Sequence, residues 1–221
     1  MLRKLLIATV ATAAIAPFAI AENQVWTSLE LKKKSEIKSK VEYTLNSEVR
    51  FDPDGDTETI VLRPGVGYKV NDTLKLSGGY RFSSTRRSGD DTIEHRIWQQ
   101  AGYDLFEVGG FEVAGRTRLE QRWRETNNDL GWRIRQQVSL EHPIEGSELK
   151  IGLSDEAIFG LNDTAWGNFE GLQENRAKAV VKGKVGRVGW EVGYLNQYKN
   201  GINGRDDETN HHIVIGLSAG F

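Results

Sequence analysis

Arginine and glutamate recur at alternate positions through the middle of this chain, and that spacing carries most of the chemistry it offers. Between Phe111 and Trp123 the residues Glu112, Arg116, Arg118, Glu120 and Arg122 share one parity, with Arg124 next, and Arg133 and Arg135 follow. Earlier come Arg81, Glu94 and Arg96; later come Glu156, Glu174, Arg176 and Lys178. Side chains two apart on an extended strand point the same way, so each run places its charges on one face. Two chemistries fit such a belt. Opposed Arg and Glu can pair across neighbouring strands and fill a closed interior. Alternatively, surplus Arg can line a narrow path that attracts small anions, as basic rings do in anion-selective pores. On the two central strands Arg116, Arg118, Arg122, Arg124, Arg133 and Arg135 outnumber Glu112, Glu120 and Glu141, an excess that pairing alone does not absorb. The first expectation is therefore a narrow anion-preferring channel, with a closed structural barrel filled by an Arg/Glu network as the alternative. A third reading, an enzyme at a rim, rests on Asp206, Asp207, His211 and His212, with Asp90 and Asp91, because an acid beside a histidine can orient a base. No motif marks a nucleophilic serine and no spacing matches a metal site. Hence no catalytic residue, cofactor or metal is assigned.

The elements that must carry these charges read as strands. From Ile37 the odd positions are Ile37, Ser39, Val41, Tyr43, Leu45, Ser47, Val49 and Phe51, against Lys38, Lys40, Glu42, Thr44, Asn46, Glu48 and Arg50. The same split recurs from Ile60 to Val70, Leu74 to Phe82, Phe111 to Leu119, Trp132 to Leu140, Leu149 to Leu153, Val188 to Tyr194 and Ile213 to Phe221. A helix would repeat at 3.6 rather than two. Alternation does not say which face is inside: a soluble lipocalin-like barrel turns its apolar face inward, a membrane barrel outward. Segments of about ten to thirteen residues favour a tilted membrane crossing over the usual five or six of soluble sheets. Connections point the same way. Asn71-Asp72, Phe106 to Gly110, His142 to Ser147 and Lys184 to Arg187 are short; Ser83 to Asp91, Glu125 to Asp129, Gly160 to Asn168 and Lys199 to Asn210 are longer. Aromatic residues gather near strand ends, with Phe51, Phe82, Trp123, Trp132, Phe159 and Tyr198 toward the long loops and Tyr68, Tyr103 and Phe221 toward the turns.

The amino terminus sets the expected compartment. Met1-Leu2-Arg3-Lys4 is a basic n-region, Leu5 to Ile15 an apolar core, and Ala19-Ile20-Ala21 a small-x-small cleavage site. Residues 1–21 are therefore expected to be a signal peptide and 22–221 the barrel, with 22–35 of uncertain placement. Its apolar run, interrupted by Pro17, is shorter than a spanning helix requires. Losing Arg3 and Lys4 takes the basic count from 29 to 27 against 31 acids, a formal charge of −4. That balance gives no reason to expect nucleic acid as a partner. The absence of cysteine excludes a disulfide framework, a thiolate site and a lipid-anchored product.

Strand counting gives about ten full strands, or twelve with an unread hairpin, because bacterial single-chain barrels have even numbers. Val25 to Leu31 is then expected in the lumen, on a rim, or completing the seam. Gln99, Gln136 and Asn175 fall on the face expected to meet lipid, and local bulges that shift the register are the preferred explanation over a subunit contact. On the charged face, the half near the short turns is small: Gly65, Gly67, Ser77, Gly79, Gly102, Ala114, Ser139, Gly152, Gly189 and Gly193. The expected lumen has a charged belt near the long loops and a roomier end near the turns.

The runs Gly79-Tyr80-Arg81-Phe82, Glu94-His95-Arg96-Ile97-Trp98-Gln99-Gln100, Arg116-Thr117-Arg118-Leu119-Glu120-Gln121-Arg122, Arg133-Ile134-Arg135 and Glu174-Asn175-Arg176 resemble the bacterial outer-membrane proteins grouped as domain-of-unknown-function family 2490. The resemblance extends from about Trp26 to Phe221, and Arg116 to Arg122 is its most specific part. It implies a Gram-negative outer-membrane barrel without an assigned activity. The last strand, ending on Phe221, also resembles the terminal signal that the barrel-assembly machinery reads. Expected partners are outer-membrane lipid, that machinery and small anionic solutes.

Overall fold

The structure, a computed structural model, describes residues 24–35, 40–53, 57–87, 90–201 and 206–221. The expected signal peptide at 1–21 and its cleavage site lie outside the described residues. Eleven strands follow in order: β1 Gln24–Lys34, β2 Val41–Phe51, β3 Thr57–Lys69, β4 Leu74–Arg87, β5 Asp90–Val108, β6 Phe111–Arg124, β7 Asn127–Pro143, β8 Lys150–Gly160, β9 Gly171–Val185, β10 Val188–Lys199 and β11 Glu208–Gly220. Each is hydrogen-bonded to its chain neighbours, and β1 pairs with β11 to close a barrel. Closure gives every strand two partners and leaves no unpaired edge.

The count corrects the expectation of an even number. Val25 to Leu31 completes the seam, as one of the three placements anticipated. An odd meander brings its first and last strands together in parallel, from Gln24↔His212 to Lys32↔Gly220, while the other ten pairings are antiparallel. A parallel ladder has slanted bonds and is only slightly weaker per residue, so parity is no barrier to closure. The Phe221 amide donates to the Lys32 carbonyl at 3.0 Å and extends that seam.

Two further expectations change. Ser83 to Asp91 is not a loop: β4 continues to Arg87 and β5 begins at Asp90. Likewise β7 begins at Asn127, so the connection after β6 is short. Polar side chains do not end a strand when the barrel wall supplies a partner on each side, and Thr85↔Thr92 and Arg86↔Asp91 keep the ladder running. The extended connections on that rim are 161–170 and 200–207. At the opposite rim Gly109 and Gly110 make a two-residue turn with φ of 55° and 79°, the positive values that a tight hairpin demands.

The apolar parity faces outward all round the barrel. Leu45, Leu62, Val66, Leu76, Ile97, Leu153, Val192 and Leu217 are exposed large apolar side chains, while the charged parity turns into the lumen. Gln99, Gln136 and Asn175 also face out, and bulges do not account for them. Register shifts occur at Asp104/Phe106, Arg122/Arg124 and Ile158/Phe159, and the ladders run unshifted through all three amides. Instead the outward polar groups satisfy one another. Gln99 and Gln121 exchange amide bonds at 3.1 Å, Gln136 accepts from Thr117 at 2.6 Å and donates to the Tyr103 hydroxyl at 2.7 Å, and Asn175 donates to Asp155 at 3.0 Å. Pairing removes most of the cost an isolated amide would pay outside water.

Candidate functional site

Register, more than any motif, assembles the lumen. Arg81 lies opposite Arg96, Arg96 opposite Arg122, Trp98 opposite Glu120, and Glu120 opposite Arg133, so four consecutive strands present one patch of guanidinium and carboxylate groups. Arg81, Glu94, Arg96, Arg118, Glu120, Arg122, Arg133, Arg135 and Glu156 are all buried, none more than 8 % exposed. Glu120, at 1 %, is the hub. Its two oxygens receive Arg133 at 2.6 Å, Arg96 at 3.0 Å and Arg135 at 3.3 Å, with Arg118 at 3.8 Å. Above it, Glu94 takes a fork from Arg122 at 2.8 and 3.3 Å, a close bond from Arg96, and Arg124 at 3.5 Å. Below, Glu156 bridges Arg135 and Arg116. Forked, charge-assisted bonds of this kind fix geometry as well as energy.

Glu174 and Arg176 adjoin this patch on β9, where Arg176 lies opposite Glu156. They bind each other, and Gln197 donates to Glu174. Arg176 lies 5.0 Å from the centre of the Trp26 ring, which also carries Arg50 at 3.7 Å and the stacked ring of His212 at 4.7 Å. Trp26 joins Val180, Leu195 and Val214 in a small apolar core against the seam. The lumen is thus packed from both sides, by ion pairs on β4–β8 and by this cluster on β9, β10, β11 and β1.

The charge on these groups does not balance. In the patch and the Trp26 cluster eleven arginines (Arg50, Arg63, Arg81, Arg96, Arg116, Arg118, Arg122, Arg124, Arg133, Arg135 and Arg176) stand against five glutamates (Glu48, Glu94, Glu120, Glu156 and Glu174), while the further lumen glutamates Glu42, Glu141 and Glu191 pair with lysines. Buried Nε atoms of Arg63, Arg81, Arg116 and Arg124 have no hydrogen-bond partner.

The loop at 161–170 folds over the patch from its rim. Arg122 and Arg124 lie 5.0 and 4.7 Å from the centre of the Trp166 ring, and Arg124 donates to the Trp166 carbonyl at 3.1 Å. Asn168, 2 % exposed, accepts from Arg122 at 3.2 Å and donates to the Asn162 carbonyl at 2.6 Å. On the turn side of the network lies a cavity of about 800 Å³ lined in part by Gly67, Ser77, Gly102, Gly189 and Gly216, the small residues that leave it room. The Trp98 ring lines this cavity beneath the Arg118 guanidinium, 4.9 Å from its centre. An added Cβ at Gly65 would come within 2.7 Å of that ring, so only glycine admits it there.

The rim candidates for an enzyme are dispersed. His212 is 2 % exposed inside the lumen, with its Nε2 2.9 Å from Gln197 Oε1. His211 points outward beside the Tyr194 hydroxyl. Asp207 is bound by the Tyr198 hydroxyl and the Gly201 amide, which together hold its carboxyl below the usual range. Asp91 meets Arg86 at 3.5 Å. Among the described residues no group of three acids or histidines is placed to hold a metal ion.

Sequence reasoning did not single out Arg50, Arg63, Trp26, Trp166 or Asn168, and it placed His212 at a rim rather than in the lumen. Period two already put Arg50 on the charged face, and Trp166 is a large aromatic in an otherwise polar loop; both were usable signals. Nothing in spacing alone brings β1, β2, β9 and β11 to one cluster.

An uncharacterized protein of Methylorubrum extorquens is 37 % identical over 145 residues, covering 63 % of this chain and 63 % of its own length. The family described as proteins of unknown function, DUF2490, matches residues 23–209, which include all the lumen arginines and glutamates named above. A match over that much of the barrel means that the chain belongs to the DUF2490 family.

Proposed function

We propose that this protein is a bacterial outer-membrane barrel whose lumen is closed by its own Arg/Glu network, leaving a vestibule that opens on the turn rim toward the periplasm. The observation that carries this reading is the burial of Glu120 and its arginines at the centre of the lumen, where a water-filled pore would leave them exposed. Supporting it are the outward apolar face, strands of 11 to 19 residues against the roughly 9–11 that span a bilayer, and the absence of an open sheet edge that lipid could not satisfy. The outer surface then meets lipid, and insertion requires the barrel-assembly machinery. No catalytic role is assigned.

Planar-bilayer recording of the purified protein tests the proposal. Wild type is expected to be silent, and a steady ohmic conductance would overturn the plug. A second reading, the narrow anion path, is favoured by the eleven arginines against five glutamates. It requires a small anion-selective current that falls when Arg118 and Arg133 are both changed to serine.

A further inference from the structure

We infer that the closed end of the turn-side vestibule is a binding site for a small oxyanion, a carboxylate or phosphate group carried by a water-soluble solute, held by Arg63 and Arg118. The site rests on the plug reading only in that the network forms its blind end.

Arg63 lines the cavity, yet among the described residues it has no hydrogen bond and no ion pair within 4 Å, and its Nε is buried without a partner. Its ladder partner Asn46 also lines the cavity and has a buried Oδ1 without a donor. Glu48, the carboxylate nearest in the ladder, is already taken by Arg50. Arg118, on the same cavity wall, spends its Nε and Nη2 on one neutral acceptor, Gln100 Oε1, at 2.9 and 2.6 Å, and stands 3.8 Å from Glu120. Arg118 also lies 4.9 Å from the centre of the Trp98 ring, whose far edge is wedged against Gly65 and Gly79. The two guanidiniums are close enough to repel each other. A buried and a half-buried like charge facing a shared cavity, with unspent donors, call for an anion between them.

The rest of the vestibule does not compete for that role. Its five lining lysines are matched in number by five lining glutamates: Lys32 pairs with Glu30 at 2.7 Å, Lys75 with Glu42 and Lys182 with Glu141, and Lys150, Lys184, Glu148 and Glu191 complete the set. The surplus positive charge of the lining is therefore carried by Arg63 and Arg118, since Arg116 is bound to Glu156. A volume of about 800 Å³ lies within the range of small-molecule sites. Its wall sets Ser28, Thr44, Asn46 and Ser77 beside the Trp98 and Trp190 rings, and it lies inside the barrel, away from the apolar outer face, so the occupant is a free solute rather than a lipid headgroup.

The test is calorimetric titration of the full-length protein in a nonionic detergent with inorganic phosphate and, separately, with succinate. Binding of at least one is expected, weakened tenfold or more by Arg63→Gln, partly restored by Arg63→Lys, and unaffected by Arg87→Gln, an exposed cation at the other rim. Each variant is first checked for the heat-modifiable folded band. Because Arg63 makes no bond in the folded state, Arg63→Gln is expected to pass. Failure to bind either anion, or affinity indifferent to Arg63→Gln, would overturn the site. Displacement of bound phosphate by phosphatidylglycerol added to the micelles would overturn the choice of a soluble occupant. Bilayer conductance is read separately, so a barrel that conducts yet binds phosphate through Arg63 refutes the plug and leaves the site standing. A silent barrel without Arg63-dependent binding does the reverse.

Discussion

Replacing Glu120 by glutamine preserves the shape of the hub and removes its charge, which makes it the sharpest probe of how the lumen is held. Four arginines, Arg133, Arg96, Arg135 and Arg118, converge on its carboxylate at 2.6 to 3.8 Å. Within the ion-paired patch on β4–β8, eight arginines (Arg81, Arg96, Arg116, Arg118, Arg122, Arg124, Arg133, Arg135) share three glutamates (Glu94, Glu120, Glu156), so the change leaves eight to two. The glutamine amide also turns donors toward donors. Breaking a buried ion pair from one side costs about 3–5 kcal/mol, because the partner stays buried and uncompensated. At about 2–4 °C per kcal/mol for a chain of this size, the melting point should fall by roughly 6–20 °C. Arg118→Gln is the counterpart. It removes a cation from a cation-rich wall, with a neutral acceptor as its main partner, so the expected loss is only about 1 kcal/mol, the net worth of a typical hydrogen bond. Heat-modifiable gel mobility and intrinsic tryptophan fluorescence against denaturant would report both variants. Equal losses, or a Glu120→Gln variant as stable as wild type, would refute the argument that carboxylates are the limiting component of this network.

Two other outcomes are expected. Cysteine placed at Ala165 should be labelled by an impermeant reagent on intact cells, whereas cysteine at Glu145, on the turn rim, should react only after the outer membrane is opened; the reverse pattern would invert the barrel. Trp166→Ala should release the loop cap, since it removes two arginine stacking contacts worth about 0.5–2 kcal/mol each. Hydrogen exchange should then quicken at the amides of 163–170 and stay unchanged at the Phe111 end of β6, and protection unchanged at Ala165 to Asn168 would count against the cap.

The sequence by itself determined the wall. Period-two alternation follows from the pleat of an extended chain, so Leu45, Leu153 and Leu217 had to share one face and Arg116, Arg118 and Arg122 the other, whatever the barrel's size. The charged residues expected to share a face do share the lumen, and of the small residues expected at the turn end Gly67, Ser77, Gly102 and Gly189 line the cavity. Three matters were decided only in three dimensions. Which face is inside depends on closure, because alternation is symmetric between a soluble and a membrane barrel. Strand number depends on the partner of β1, since a strand signal does not say whether Gln24 to Lys34 will find β11 in parallel or remain outside the sheet. Finally, whether an arginine is paired depends on register across strands remote in the chain: Glu156 reaches Arg116 across 40 positions and Arg122 reaches Asn168 across 46, while Arg63, on an equally regular strand, meets no carboxylate within ion-pair distance. Spacing along one strand fixes direction, but the distance between charges on different strands exists only after the barrel has closed.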